Sequence, residues 1–469
     1  MRYIIYSFCY ETPHFETDLE IAKKLTNEGH EVYFLTCNGE LKTCFINSEH
    51  QKAICNVCKS KINNGLKILN VKENKILSFS NINNFKLSFD DALISFEALK
   101  KYEYEGCDIG LGVVSSLVST LRDHNFDVKL HSEKIKTALE TSIFVYKNFK
   151  QIIAQYQPDG IIVFNGRFLE TKPVLHLCNQ NNIKFFTHER GAQIDRYMFR
   201  ENYTPHSLLY AKYEIESIWK DASDEKYTIG SQFFSQRKNG VIQNWYTFTK
   251  SQKKDVLPAN FNPKIRNIAI FNSSIDEYVS IPDFENKIYV DDNEGIEKIC
   301  ESFKNETNFH FYLRIHPNLA GLDNTQTKKI TEFKSKFPNL TIINALDEID
   351  SYALMEAVDA VVTFGSTIGI EAVFWGTPSI LLGKSFYEDM KGLFKPNTHE
   401  EVCEMIKLDN KNVAQNSDAI KFGYWSLMYG NKFEFFKPES LFKGTFLNKK
   451  VKASLLARII LKLNNLKFK

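Results

Sequence analysis

The stretch Asp359-Ala360-Val361-Val362-Thr363-Phe364-Gly365-Ser366-Thr367-Ile368-Gly369-Ile370-Glu371-Ala372-Val373-Phe374-Trp375-Gly376-Thr377-Pro378-Ser379-Ile380-Leu381-Leu382-Gly383 decides how the chain is read. Its apolar, β-branched opening has the length and composition of a buried parallel strand. Gly365-Ser366-Thr367 is a small-residue turn. The segment carrying Glu371 reads as a helix, stopped by Gly376-Thr377-Pro378, and Ser379 restarts a strand. This is a strand–turn–helix–strand unit whose turn sets two hydroxyls and unpaired amides at a helix N-terminus. Such a place suits an anion, because the first amides lack intrahelical partners and the helix dipole favours negative charge. A plain βαβ connection that needs Gly and Ser only to turn fits the same residues.

Working upstream, a β/α series opens at residue 265. A strand over 267–271 ends in Asn272-Ser273-Ser274, with Asp276 and Glu277 just after. A strand over 310–315 ends in His316-Pro317-Asn318. Helices over 295–303, 328–337 and 351–357 and a strand over 340–343 complete the series. Three strand ends thus carry Ser273 with Ser274, Arg314 with His316, and Gly365-Ser366-Thr367, with Glu371 in the helix behind. Hydroxyl, imidazole and guanidinium donors at successive βα loops describe a site for an anionic, phosphate-bearing ligand. The alternative makes His316 a turn residue held by Pro317 and Arg314 a stem packed on the sheet.

The N-terminal half has the same grammar. Residues 2–8 and 31–36 read as strands around a helix over 18–27, the start of a doubly wound sheet. No G-x-G-x-x-G follows, so no dinucleotide cofactor is expected. A long helix over 132–156 leads to a strand over 159–164 ending in Asn165-Gly166-Arg167. A helix over 171–181 leads to a strand over 184–187 ending in His188-Glu189-Arg190-Gly191. Loops beyond the carboxyl ends of parallel strands are where open α/β sheets bind ligands, and these two are polar and titratable. A surface ion-pair turn is the alternative for His188, Glu189 and Arg190. Helices are expected over 213–222 and 225–238. Residues 255–263 hold two prolines and no apolar period, which reads as a linker.

The expected fold is therefore α/β, with two Rossmann-like domains facing across a cleft. The boundaries are 1–254 for the first domain, 255–264 for the linker and 265–440 for the second. A basic helical tail fills 441–469. At 469 residues the chain exceeds one compact core. A net charge of +2, from 59 basic and 57 acidic residues, gives no global pull toward nucleic acid. The first residues read as a strand rather than a signal sequence, and no apolar run approaches the length of a membrane span, so a cytoplasmic setting is expected.

Cys37, Cys44, Cys55 and Cys58 fall within 22 residues, in what reads as a loop over 37–58. Four thiolates so placed could close a structural zinc site or hold an iron–sulfur cluster, although the spacing matches no standard finger or ferredoxin. Scattered reduced thiols are the other reading. In the tail, Leu455, Leu456, Ile459, Ile460 and Leu463 recur at helical spacing among Lys452, Arg458, Lys462 and Lys467. From Lys443 to Lys469 there are eight Lys or Arg and no Asp or Glu. A basic amphipathic helix of this kind either lies on an anionic membrane surface or packs its apolar face on the protein.

Two Rossmann-like halves with a His-Pro strand end and then Gly-Ser-Thr, Gly-x-Glu-Ala and Gly-x-Pro resemble glycosyltransferases of the GT-B fold. The likeness is closest to bacterial capsule and lipopolysaccharide biosynthesis proteins, including relatives of Kdo- and sialyltransferases. The segment from Thr187 through Arg190 and Gly191 to Arg196 is similar to the capsule group as well. The resemblance implies a nucleotide-sugar donor, CMP-linked among the options, held by the C-terminal domain, and a glycan or lipid-linked glycan acceptor held by the N-terminal domain. It implies that His316 donates to the donor phosphate, that Ser366 and Thr367 bind that phosphate, and that Glu371 meets the ribose or leaving nucleotide. No acidic-acidic-Gly motif supplies a general base. Glu189 is the first candidate and Asp195 the second, with His188, Arg190, Asn165 and Arg167 around them. No cofactor is required for transfer on this reading. A UDP-sugar 2-epimerase-like enzyme, a CDP-polyol phosphotransferase and a non-catalytic sugar-binding assembly protein are the competing readings.

Overall fold

The computed structural model describes residues 1–80, 88–241, 251–409 and 417–467, with side chains placed to residue 464. The chain forms two compact units. One holds residues 1–121, 125–206 and 429–469; the other holds 122–124 and 207–428.

In the first unit the strands β1 (Arg2–Ser7), β2 (Glu31–Thr36), β3 (Ile76–Ser78), β4 (Gly160–Phe164), β5 (Lys184–Arg190) and β6 (Arg196–Glu201) build a sheet in the order β6-β5-β4-β1-β2-β3. All are parallel except β6, which returns antiparallel along β5. Burial on both faces explains the continuous apolar runs: Ile4, Ile5 and Tyr6 of β1 and Ile161, Ile162 and Val163 of β4 have no exposed surface. In the second unit β7 (Arg266–Phe271), β8 (Phe309–Arg314), β9 (Leu340–Ile343), β10 (Ala360–Thr363), β11 (Ser379–Leu381) and β12 (Leu393–Phe394) form a wholly parallel sheet, in the order β12-β11-β10-β7-β8-β9. Both are doubly wound sheets. Their strand order reverses between β1 and β4 in one unit and between β7 and β10 in the other, which is where such sheets bind ligands.

The unit boundaries differ from those read in the sequence. The helices Leu208–Lys220 and Lys226–Lys238 belong with the second unit, because Lys226–Lys238 crosses the helix Ser417–Met428 at a pair of glycines. A Cβ on Gly230 would meet the Ile420 carbonyl oxygen at 2.2 Å, and one on Gly423 would meet that of Gly230 at 2.3 Å. Two backbones this close need glycine on both sides. Conversely, residues 429–469 return to the first unit. There β13 (Asn431–Lys432) pairs with β6. The buried Glu20 carboxylate accepts from the amides of Glu434, Phe435 and Phe436 at 2.7, 2.9 and 2.9 Å. Phe436 and Phe446, on the hairpin β14 (Phe436–Ser440) and β15 (Lys443–Phe446), and Val451 beyond it enter the first core. Neither contact leaves a periodic trace, so the proline-bearing stretch 255–263 looked like the border and is not.

Two further elements escaped the sequence reading. No strand is expected over 196–201, yet β6 pairs there along β5, so His188, Glu189 and Arg190 lie in a strand rather than a loop. The helix Lys52–Ile68 was also missed, and it carries Cys55 and Cys58 at i, i+3.

Candidate functional site

In a parallel sheet all carboxyl ends lie along one edge, so the ends of β8, β7 and β10 are consecutive there. With neighbouring strands ~4.8 Å apart, the ends of β8 and β10 lie about 10 Å from one another across β7. This edge of the second unit collects Asn272, Ser273 and Ser274 from β7, His316 from β8 and Gly365-Ser366-Thr367 from β10.

The β7 end is held tightly. The Ser273 amide donates to Asp292 at 2.7 Å, and its carbonyl accepts from Gln326 at 2.8 Å. Asn272 Oδ1 accepts the His316 amide at 2.9 Å, tying β7's end to β8's. Ser274 donates to Asp276 at 2.5 Å, and Asp276 also accepts from Arg122 at 2.5 Å. In contrast, the buried Ser273 hydroxyl oxygen has no hydrogen-bond partner among the described residues. A buried hydroxyl without a partner is costly, and this one lies at a strand end beside the switch point. Burial pushes the Asp292 carboxyl up to about 7, against the hydrogen bonds it accepts from Tyr278 and Ser273.

His316 Nδ1 accepts the Asn318 amide at 3.2 Å, which assigns the ring proton to Nε2. Burial lowers its pKa to about 4, the nearby Arg122 adds to this and Asp276 opposes it. The imidazole is therefore a neutral N–H donor at physiological pH. Arg314, by contrast, turns both terminal nitrogens into the protein, while its Nε has no hydrogen-bond partner among the described residues. It is buried, and its guanidinium donates to the carbonyls of Asn344 and Asp347 at 3.0 and 3.3 Å, holding the loop after β9.

At the β10 end Gly365 has φ of +130°, and a Cβ there would sit 2.6 Å from the Lys384 carbonyl oxygen. That turn starts the helix Ile368–Trp375, which ends as expected on left-handed Gly376. The Ser366 amide donates to Thr363 at 3.1 Å and its carbonyl accepts from Tyr387 at 2.5 Å, so the turn is rigid. The amides of Thr367 and Ile368 have no backbone partner among the described residues. Arg237, which the sequence reading left in the other domain, donates to Thr367 Oγ1 at 3.1 Å and so brings a cation to this N-terminus. Glu371 does not meet a ligand. It is 1% exposed, with one oxygen accepting from Arg237 at 3.0 and 3.1 Å and the other from Tyr352 at 2.5 Å. Its role is to fix Arg237. Nothing in the sequence pattern connects positions 134 residues apart, so Arg237 and Tyr352 could not have been found there, nor Arg122.

The corresponding edge of the first unit carries Asn165, left-handed at φ +61°, from β4 and Glu189 from β5. Glu189 accepts from Asn165 Nδ2 at 2.9 Å and from the Arg190 amide at 3.0 Å, and is partly exposed. His14 approaches it at 3.6 Å, too far for a hydrogen bond. Burial, with the Arg190 charge, drives the His14 pKa well down, so this is no ion pair. Each Glu189 oxygen accepts one N–H, which leaves lone pairs for a hydroxyl. Arg190 donates to the Thr12 and Leu441 carbonyls at 3.1 and 3.4 Å and stacks on Phe442. His188 turns inward instead. Fully buried, it contacts Asp18 at 2.8 Å, and Asp18 accepts from Ser7 at 2.7 Å. Asp195, exposed in the β5–β6 turn, shares none of these bonds. Arg167 reaches Ser119 at 3.5 Å and lies over Phe168.

His206, 3.5 Å from Asn165, has its pKa lowered to about 3 by burial and then by Arg167 and Arg200. The unfolded chain takes up this proton below its ordinary 6.5 and the folded chain does not. Stability from this residue is thus fully present above 6.5 and lost as pH falls toward 3. His206→Asn should flatten the slope of unfolding free energy by about 1.4 kcal/mol per pH unit between roughly pH 6 and 4, read from urea titrations at several pH values.

The four cysteines line one small cavity of about 30 Å³ together with His50. No three of their sulfurs lie within 4.8 Å of one another; among the described residues only Cys107, Asp108 and His176 meet that distance. Burial raises Cys37 to about 11, Cys58 to about 12 and Cys44 well up, so these are thiols rather than thiolates. Cys55 and Cys58 ride on a helix, and Cys37 and Cys44 lie in the chain before it.

Residues 242–418 match the family model described as capsule polysaccharide biosynthesis protein. That span contains β7 to β12 and the residues Ser273, His316, Ser366 and Thr367. A search of curated proteins finds no match. Among solved structures the chain is similar to two from Thermosulfurimonas dismutans. The KpsC β-Kdo 2,4-transferase is 12% identical over 56% of this chain and 78% of that one, with a TM-score of 0.34. The KpsC β-Kdo 2,7-transferase is 12% identical over 68% and 89%, with a TM-score of 0.37. It is also similar to the UDP-GlcNAc 2-epimerase of Methanocaldococcus jannaschii in complex with UDP-GlcNAc and UDP, at 12% identity over 90% and 98%, with a TM-score of 0.30. At TM-scores below 0.5 none of these likenesses bears on the chemistry.

Proposed function

We propose, on the premise that residues 242–418 carry the capsule polysaccharide biosynthesis pattern, that the chain transfers a sugar from a nucleotide-sugar to a glycan acceptor. The observation that carries this is the buried, partnerless Ser273 hydroxyl at the β7–β10 switch point, flanked by a neutral imidazole on one side and a cation-bearing helix N-terminus on the other. That set suits a phosphate rather than a bare carboxylate, because it offers donors from three directions.

In the reaction the bond between the anomeric carbon and the donor's phosphate oxygen breaks, and its electron pair stays on that oxygen. His316 Nε2–H, the free amides and Arg237 stabilise the charge that develops there, which requires no metal. The acceptor hydroxyl forms the new bond to the anomeric carbon and gives its proton to a carboxylate. Glu189 is that base, supported by its partial exposure and spare lone pairs, and Asp195 is the second choice. CMP is the first nucleotide to try.

The test is a thermal-shift panel of CMP, UDP, GDP and CDP and their sugars. One nucleotide should stabilise the chain by about 2.7 kcal/mol at a hundredfold excess over its Kd, and Ser273→Val should abolish the shift. No shift with any nucleotide, or an unchanged shift in the variant, overturns the reading.

A further inference from the structure

The tail helix Leu455–Lys467 rests on the helix Lys52–Ile68 through small residues. Ala453 and Ala457 are buried against Val57, with Leu461 partly buried alongside. The large apolar residues point the other way. Leu455, Leu456, Ile459, Ile460 and Leu463 are 65, 68, 46, 37 and 55% exposed. Five of the eighteen large hydrophobic side chains exposed among the described residues thus fall in nine consecutive positions. Isolated exposed leucines are ordinary, but a contiguous stripe of this kind marks a surface meant to be covered.

The second observation is charge. Lys449, Lys450, Lys452, Arg458 and Lys462 are all exposed along the same segment, and from Lys443 to the last residue there is no Asp or Glu. A protein partner for an apolar stripe supplies apolar surface, but it has no reason to select five uncompensated cations around it. An interface of acyl chains beneath anionic headgroups matches both features at once. The helix is too short to span: among the described residues no helix is long and apolar enough to cross a membrane. An in-plane position fits instead, with alanines toward the protein, leucines and isoleucines toward the acyl chains, and lysines at headgroup level.

We infer that the stripe Leu455, Leu456, Ile459, Ile460 and Leu463 is a docking face that seats the chain on an anionic lipid surface. This goes beyond the transfer reaction and does not depend on it. The experiment is co-sedimentation of the full chain with phosphatidylcholine vesicles, with and without about one-third phosphatidylglycerol. Binding is expected only with the anionic lipid and should weaken as salt rises. Leu456→Ser/Ile460→Ser and Arg458→Glu/Lys462→Glu should each lower the vesicle affinity by roughly tenfold or more. All four side chains are exposed, so unchanged melting curves check that the variants fold. A wild-type chain that ignores anionic vesicles overturns the inference, as do variants that bind as well as wild type. So does a wild-type dimer that Leu456→Ser/Ile460→Ser converts to monomer without any vesicle binding, since a second copy would then be the occupant. Nucleotide binding is measured separately, so failure here leaves the transferase reading standing.

Discussion

Glu371→Ala is expected to destabilise the second unit by about 3–5 kcal/mol, the largest stability effect of any single substitution at the site. Glu371 is 1% exposed, and both its oxygens are occupied, by the Arg237 guanidinium and the Tyr352 hydroxyl. Burial would lower the Arg237 pKa, but the charge of Glu371 and then Tyr352 more than restore it. Removing the carboxylate leaves a largely buried guanidinium without its counter-charge and a buried tyrosine hydroxyl without its acceptor. The cost therefore comes chiefly from the groups left behind, not from the lost bond. This gives the prediction a second arm. Arg237→Met/Glu371→Leu removes both charges and should recover most of the loss, although Tyr352 still lacks its acceptor. Urea unfolding followed by a probe in the second unit measures both. A cost below about 1 kcal/mol for the single variant, or one no larger than for the double, would show that the pair is solvated after all. The functional consequence follows from the same geometry. Arg237 touches Thr367 only because Glu371 orients it, so Arg237→Met should weaken nucleotide binding even where the fold survives.

The contrast between Glu371 and Ser273 shows what the sequence could and could not disclose. Strand ends, helix stops and the turn at Gly365 are local properties, and they are written in apolar period, Gly and Pro. Accordingly β9 and the helix Ser351–Ala357 lie at the residues expected, and the helix N-terminus after β10 is where the Gly-Ser-Thr turn places it. Which polar group faces a ligand is not local. Arg314 and Ser273 sit alike at strand ends in the sequence, yet one turns its terminal guanidinium nitrogens to the carbonyls of a neighbouring loop, whereas the other's hydroxyl makes no such bond. His188 and Glu189 are adjacent in a strand, so their side chains must leave on opposite faces. One enters the core toward Asp18 and the other stays at the edge with Asn165. Missing β6 hid that alternation, because a loop imposes none. The exchange of 207–241 and 429–469 between units was invisible for a related reason: glycine crossings and a carboxylate capping three amides involve single residues hundreds of positions apart.

His316→Ala is expected to lower the rate of sugar transfer by about 10²–10³, with a smaller effect on binding of the intact donor. The reason lies in the ring's fixed protonation. Nδ1 accepts from the Asn318 amide, so Nε2 carries the proton, and burial together with Arg122 keeps the pKa near 4 despite Asp276. A neutral N–H needs no proton uptake to stabilise a departing phosphate. It bonds more strongly as negative charge gathers on that oxygen, so the loss should appear in kcat more than in KM. His316→Gln retains an N–H donor on a flexible stem and should recover part of the rate. The pH profile supplies the discriminating readout. An imidazole at its ordinary pKa would give a limb near 6.5. Here the limb from His316 should lie near 4, where protonation also breaks the Asn318 contact. A profile of the wild type with a limb near 6.5 that vanishes in His316→Gln would mean the ring works as a charged acid. The second unit would then stabilise its leaving group by proton transfer rather than by a preorganised donor.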